Sequence, residues 1–250
     1  MIWHMILGLL LLGIPVGVLY LTDSRLLRTF VVSMARMVAQ VLVLCLMVWV
    51  LVRYDHWWLN LLWLLLMTGG TTMLMLHKQE LNPRQLLWPI GGGVLTGTFL
   101  ISMYLLFAVL PAEHGLDARW FVPVTALVLG HTLSMTIKGV TAYRDALKGD
   151  ALQYEYLRGN GASHLKAVMP FVRRAIQAVL APTAANLAVT GLFAMPLLLC
   201  GVLMAGVRPI NAFVVTVMLI IGCVAASVIS LVVSIWLADR RFFDSFGKLL

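Results

Sequence analysis

The alternation of apolar and polar positions divides this chain into long apolar runs separated by short polar segments. A transmembrane helix needs about 20 predominantly apolar residues to cross the bilayer, and seven runs meet that length. We therefore predict an all-α polytopic transmembrane bundle that forms one domain over residues 1–250. The predicted spans are residues 2–21, 30–52, 59–76, 87–110, 120–140, 175–206 and 210–237.

The sixth run, residues 175–206, is too long for a simple span. Pro182, Gly191, Pro196 and Gly201 interrupt it, and proline removes a helical hydrogen bond. The run therefore predicts an element that is either kinked or partly re-entrant, and the pattern does not decide between the two.

Basic residues orient the predicted bundle. The first run lacks the basic start and small-residue cleavage site of a signal peptide, so we expect it to be a retained span. Arg25 and Arg28 follow this run, whereas no Lys or Arg precedes it. The positive-inside rule then places the N-terminus outside and the C-terminus in the cytoplasm. The external segments would hold only Arg53, Arg119 and Arg208.

Composition agrees with a protein in the bilayer. The chain is 62% hydrophobic and 11% charged, whereas soluble domains carry about 25% charged residues. The net charge of +8 does not indicate nucleic acid, because the basic residues lie at span ends and in one loop. The three cysteines, Cys45, Cys200 and Cys223, lie in apolar runs without metal-type spacing, so we predict no metal site.

The longest polar region, residues 141–170, lies on the predicted cytoplasmic side. Leu147, Ala151 and Tyr154 recur at i, i+4 and i+7, which predicts an amphipathic helix that continues the fifth span. This region is either a solvated loop with incidental charges or a docking segment for a partner.

A break and a second helix are expected within this region. Gly159 and Gly161 favour the left-handed conformations that end a helix, and Ser163 favours the start of the next. The apolar positions from Leu165 to Met169 then predict a short helix, held crosswise, that ends before Pro170.

Catalytic signatures are absent from the sequence. It contains no GxxxxGK[ST] phosphate loop, HExxH, GxSxG or GxGxxG motif, so we predict no catalytic residues and no cofactor. Any ATP would have to be bound by a separate subunit. Acidic residues are nearly missing from the spans, which weakens the case for a proton-coupled carrier. A secondary carrier or channel, and a membrane scaffold, remain the alternatives.

A few polar residues inside the spans are candidates for a substrate pathway. Arg36 either extends to the interface or lines a pathway with Gln40, which lies four residues away on the same helical face. His131 makes an interhelical hydrogen bond, contacts the substrate or acts as a metal ligand. The remaining candidates, on the sixth run, are Asn186, Thr190 and Pro196.

Two sets of residues resemble a known family. Glu155, followed by Gly161-Ala162-Ser163 and then Pro170, resembles the EAA-type loop of bacterial ABC transporter permeases. Over about residues 24–240 the chain is similar to the FetB-type permease family, which includes an iron-export permease and plant relatives linked to aluminium tolerance. The segments that carry this resemblance are SMARMVAQ (33–40), FVPVTALVLGHTL (121–133), RGNGASHLKAVMPFVRRAIQAVLAPT (158–183) and TGLFAMPLLLCGVLMAGVRPINA (190–212).

The resemblance implies an exporter of a metal ion or small solute whose energy comes from a partner. It implies a homodimer of this chain in a bacterial inner (cytoplasmic) membrane, with a separate ATP-binding subunit seated on the polar region. The residues implied to couple the two subunits are Glu155, Gly159, Gly161, Ala162, Ser163, His164 and Lys166.

The chain departs from the family pattern on the transport side. His131 replaces an Asn, Ala185 and Ala188 replace an Asp and a Lys, and Pro196 is followed by Leu197–Leu199 instead of Gly-Met-Met. These departures put iron in doubt as the substrate and leave the coupling segment intact.

Overall fold

The computed structural model describes residues 11–22, 24–54, 56–79, 83–110, 116–193 and 197–243. These residues are almost entirely helical, which confirms the predicted all-α bundle. The elements are α1 (Gly13–Thr22), α2 (Ser24–Tyr54), α3 (Trp57–Lys78), α4 (Pro83–Tyr104), a π-helical turn (Leu105–Val109), α5 (Ala118–Gly149), α6 (Ala151–Gly159), α7 (His164–Phe193), α8 (Leu197–Met204) and α9 (Pro209–Phe242).

The chain divides into two compact units, Met1–Tyr54 and Asp55–Leu250. In the first unit, α1 packs on α2. Most side chains of α2 are exposed, including large apolar ones on several sides such as Val31, Leu42 and Trp49. A helix that is apolar all round belongs in lipid or against other membrane helices.

Five helices form the core of the second unit. Contacts between side chains show that α3, α5 and α9 run in one direction, whereas α4 and α7 run in the other. The buried core lies where α3, α5 and α9 end and where α4 and α7 begin, and α6 closes the same end. We call this end of the unit the α6 end. Large, fully buried side chains there include Leu76, Ile90, Tyr143, Leu147 and Phe171.

Two glycines allow α4 and α9 to approach closely. A Cβ on Gly93 would lie 2.7 Å from the carbonyl oxygen of Ser230, and one on Gly97 would lie 2.6 Å from that of Ala226. No side chain fits at either distance, so the two backbones are in direct contact. The GxxxG pair that the sequence contains is therefore a helix-packing motif.

Five described helices are long and apolar enough to cross a membrane: Leu26–Tyr54, Trp57–Lys78, Gln85–Val109, Ala118–Gly149 and Pro209–Phe242. They match the second, third, fourth, fifth and seventh predicted spans. Residues 2–10 of the first predicted span lie outside the described residues, as do residues 194–196 of the sixth. The count of seven spans therefore stays a prediction.

The prediction of a separate short helix from Leu165 to Met169 is wrong. These residues form the first turns of α7, which continues through Pro170 and Pro182 to Phe193. Proline removes one hydrogen bond from a helix, and the buried contacts of Phe171 offset that loss.

The predicted interruptions of the sixth run also differ from the structure. The chain stays helical at Pro182 and Gly191, and Gly201 lies inside α8. The turn comes later, at Gly206, where φ is +84°. Whether this region is kinked or re-entrant stays undecided, since residues 194–196 lie outside the described residues.

The predicted continuation of the fifth span is correct only in part. Helix α5 continues well beyond Val140 but ends at Gly149, and Asp150 leaves the helical region with φ −122° and ψ 40°. The amphipathic positions near Tyr154 therefore belong to the separate helix α6.

Candidate coupling and transport sites

The turn between α6 and α7 has the geometry of a Schellman motif. Gly161 has φ +81°, and its N–H donates to the carbonyl of Arg158 at 3.1 Å. The N–H of Ala162 donates to the carbonyl of Leu157, also at 3.1 Å. These two bonds satisfy the last carbonyls of α6, and the left-handed residue between them favours glycine. The prediction that Gly161 ends the helix is confirmed.

The predictions for Gly159 and Ser163 in this turn have different outcomes. The expectation of a left-handed Gly159 is wrong, because Gly159 is the last residue of α6 and is helical. Ser163 immediately precedes α7, and its carbonyl accepts the N–H of Ala167 at 3.0 Å. Ser163 therefore occupies the predicted position at the start of the next helix.

Apolar side chains project outward on both sides of this turn. Leu152 and Tyr156 on α6 are 81% and 71% exposed, and Leu165 and Met169 on α7 are 69% and 48% exposed. Opposite faces of the same two helices are buried, as Tyr154 shows. We call these four outward side chains the apolar turn surface. Large apolar groups at a polar end of a bundle are typical of a protein contact.

Most of the predicted coupling residues are exposed around this surface. Glu155, Gly159, Gly161, Ser163 and Lys166 are exposed, whereas Ala162 and His164 are half-buried. The guanidinium of Arg158 donates to the carbonyl of Ala162 at 3.1 Å and spans the turn. The turn is thus accessible from outside the bundle and is held by hydrogen bonds between its own residues.

Behind the turn, four side chains form a continuous hydrogen-bonded network. Asp239 of α9 accepts from the hydroxyl of Tyr143 at 2.7 Å, and its second carboxylate oxygen lies 2.6 Å from Nε2 of His164. Nδ1 of His164 lies 3.0 Å from the hydroxyl of Tyr154. A neutral His164 that donates from Nε2 to the carboxylate accepts at Nδ1 from Tyr154.

Aromatic rings cover this network. The ring centroid of Phe243 lies 4.8 Å from that of Tyr154 and 4.9 Å from that of His164. Burial raises the pKa of Tyr154 above its ordinary value, so the phenol keeps the proton that it donates. The rings limit the access of water and strengthen the bonds beneath them.

Sequence reasoning missed Tyr143, Asp239 and Phe243 as members of this site. Asp239 lies 75 residues from His164, and no local pattern relates the two. An acidic residue directly before Arg240 and Arg241 was the available signal. It was not distinctive, since charged residues are common where a span ends.

His131 makes the predicted interhelical hydrogen bond. Its Nδ1 lies 3.1 Å from Oγ of Ser227 on α9. One turn towards the α6 end, Thr136 and Ser230 share a hydrogen bond of 2.7 Å between the same two helices. Hydroxyl and imidazole groups thus link α5 to α9 within the predicted membrane region.

The side chain of Asn186 is exposed on α7 at about the depth of His131. The hydroxyl oxygen of Thr183 lies 3.5 Å from the sulfur of Met135, and this contact aligns the antiparallel helices α7 and α5 at that level. His131 and Asn186 each lie about one turn from this contact, on the same side of it. The structure therefore places these two pathway candidates on neighbouring helices at similar depth.

The other pathway candidates lie on other parts of the chain. Arg36 and Gln40 are exposed on α2 in the first unit. The backbone of Thr190 belongs to α7, whereas Pro196 lies outside the described residues. Within the described part of the chain, no group of three or more His, Cys, Asp or Glu residues could hold a metal ion.

The fold and these sites define an α-helical membrane protein with several spans. Residues 2–243 match the uncharacterised protein family UPF0014, and the chain belongs to that family. It is 24% identical over 245 residues to the UPF0014 membrane protein slr1647 of Synechocystis, which covers 96% of this chain and 93% of that protein.

Two further relatives have more informative names. The protein ALUMINUM SENSITIVE 3 of Arabidopsis thaliana is 29% identical over 61% of this chain and 55% of its own length. The "Probable iron export permease protein FetB" of Escherichia coli is 20% identical over 64% of this chain and 59% of its own length. The chain thus spans little more than half of these two relatives. No solved structure matches it.

Proposed function

We propose that this chain is the membrane-spanning permease subunit of an ABC transporter and that a separate ATP-binding subunit docks on the α6–α7 turn. One observation carries this proposal: four exposed apolar side chains surround a rigid Schellman turn at the charged end of the bundle. Solvated loops do not usually expose Leu152, Tyr156 and Leu165 together. The relationship to a protein named as a permease supports the same reading.

The distribution of charge supports a cytoplasmic position for this turn. Lys148, Arg158, Lys166 and Arg173 all lie at the α6 end of the second unit. At its opposite end the described basic residues are Arg119 and Arg208. An ATP-binding subunit lies in the cytoplasm, and basic residues collect on the cytoplasmic side of membrane proteins.

The docking experiment exchanges one apolar contact for a charge. Leu165→Glu and Tyr156→Glu should abolish co-purification of the ATP-binding subunit, because a carboxylate in an apolar interface is left unpaired. Both side chains are exposed, so the melting temperature of the variant permease should not change. Leu116→Glu is the matched control, since Leu116 is also exposed but lies at the opposite end of α5. Retention of the ATP-binding subunit by Leu165→Glu would contradict the docking site.

We further propose that the permease works as a homodimer that exports a metal ion or small solute. Support comes from the names of the relatives and from the half-buried His131 and the exposed Asn186, which lie at similar depth. In the reconstituted complex, the transported ion should stimulate ATP hydrolysis. Ferrous and aluminium ions are the first probes, and His131→Ala should reduce the stimulation. Transport that needs His131 but survives Leu165→Glu would instead favour a secondary carrier.

A further inference from the structure

The network behind the α6–α7 turn joins four separate elements. Tyr143 lies on α5, Tyr154 on α6, His164 at the first position of α7, and Asp239 near the end of α9. The side chain of Asp239 is 19% exposed and that of His164 is 35% exposed. Asp239 therefore hydrogen-bonds α9 to His164 at the start of α7 through one carboxylate oxygen and to Tyr143 of α5 through the other, while Phe243, directly after α9, packs on Tyr154 and His164.

Helix α9 is in turn fixed to the middle of the bundle. Its backbone is in direct contact with α4 at Gly93 and Gly97, where even a Cβ would not fit. At the same level, the hydrogen bond between Thr136 and Ser230 joins α9 to α5. Since these contacts leave little room for relative movement, a displacement of Asp239 along the helix axis would carry α4 with it.

We propose that His164 and Asp239 are positioning residues that transmit movement of the α6–α7 turn to the α4–α9 pair. The transmission rests on the proposed function, because it is the docked ATP-binding subunit that moves the turn. Without the His164–Asp239 bond, the turn would move α7, of which His164 is the first residue, and leave α9 behind. The expected defect is therefore loss of coupling, with docking and ATP binding retained.

The physical link is tested on the permease alone, in detergent. Asp239→Ala should increase amide hydrogen exchange in peptides covering residues 151–166 by about tenfold, which is the effect of losing one or two hydrogen bonds. Peptides from α3 should exchange as in the wild type, which shows that the fold is intact. Asp145→Asn is the matched control, because that exposed carboxylate pairs with the adjacent Arg144. Unchanged exchange near the turn in Asp239→Ala would overturn the proposal.

The transmission is tested in the complex with the ATP-binding subunit. A cysteine at Ile210, which is exposed at the start of α9, reports the position of that helix in a background without the native cysteines. In the wild type, ATP with vanadate should change the rate of maleimide labelling by about threefold or more. In Asp239→Ala this change should disappear while ATP hydrolysis continues, and the change should disappear in His164→Ala as well.

Two further variants distinguish loss of the hydrogen bond between His164 and Asp239 from a general destabilisation of this region. His164→Gln keeps a donor for Asp239 and should retain part of the nucleotide-dependent labelling. In hydrogen exchange of residues 151–166, the double variant His164→Ala/Asp239→Ala should show no greater increase than the more severe single variant, because the two residues act through one bond. Additive effects, or nucleotide-dependent labelling that survives in Asp239→Ala, would overturn the proposal. If no ATP-binding subunit co-purifies with the wild type, the proposed function fails and transmission fails with it, whereas hydrogen exchange still decides whether the link exists.

Discussion

At the scale of single residues, glycine positions carry the strictest requirements in this protein. Gly161 adopts a left-handed conformation in the turn, and Gly93 lies where a second backbone occupies the space of a Cβ. Gly91 and Gly159 lie close to them in sequence, yet both are helical with no atom near their missing Cβ. Gly91 therefore serves as a control for Gly93, and Gly159 serves as a control for Gly161.

Replacement of Gly93 should destabilise the protein, whereas replacement of Gly91 should not. In Gly93→Ala the new Cβ meets the backbone of α9, and such overpacking costs about 1–3 kcal/mol. Gly91→Ala adds the same methyl group to the same helix in open space. Thermal melting of the purified protein in detergent measures both. Equal melting temperatures would contradict the close approach of α4 and α9.

The loss of stability on replacing Gly161 should depend on how readily the new residue adopts the left-handed conformation. Gly161→Ala should cost about 1–2 kcal/mol, because the Cβ collides with the following carbonyl oxygen at positive φ. Gly161→Asn should cost less, since asparagine tolerates this conformation. Gly159→Ala is the control and should be neutral or stabilising in its helix. Melting temperatures that rank alanine above asparagine at position 161 would contradict the turn geometry.

At the scale of elements, α7 is held to the second unit mainly by buried apolar contacts. Phe171, Ala175 and Val179 face the core of the bundle and are almost completely buried. An ion pair between Arg174 and Asp150 also joins the start of α7 to the end of α5. Both of its side chains are about half exposed, so water and salt screen it.

Variants at neighbouring positions of α7 should therefore differ strongly. Phe171→Ala leaves a cavity in the core and should destabilise the fold by about 3–5 kcal/mol. Arg174→Ala removes the exposed ion pair and should cost less than about 1 kcal/mol. Thermal melting at low and at high salt compares them, and only the small effect of Arg174→Ala should depend on salt. A larger loss from Arg174→Ala than from Phe171→Ala would refute this account of α7.

At the scale of the whole molecule, the α6 end should face the cytoplasm. The prediction rests on the basic residues at that end, and labelling in intact cells can test it. After the native cysteines are replaced by alanine, Asn160→Cys should react only once the membrane is permeabilised. Leu116→Cys, at the other end of α5, should react with an impermeant maleimide in intact cells. The reverse pattern would place the turn outside and exclude a cytoplasmic ATP-binding partner.

The sequence by itself determined the class of this protein and the location of its long helices. Apolar runs of membrane-spanning length have few possible structures other than a helix, because a backbone in lipid must satisfy its own hydrogen bonds. The end of α6 at Gly161 was also predictable from the sequence, since the left-handed conformation there favours glycine for local steric reasons.

Tertiary structure decided what local pattern could not. Proline at position 170 predicted the end of a short helix, yet the buried contacts of Phe171 keep α7 continuous through it. His164 and Asp239 are far apart in sequence, and only the packing of α9 beside α7 brings them together. The preference of a single residue for helix or turn contributes little free energy. Contacts between distant segments outweigh it wherever many side chains are buried together.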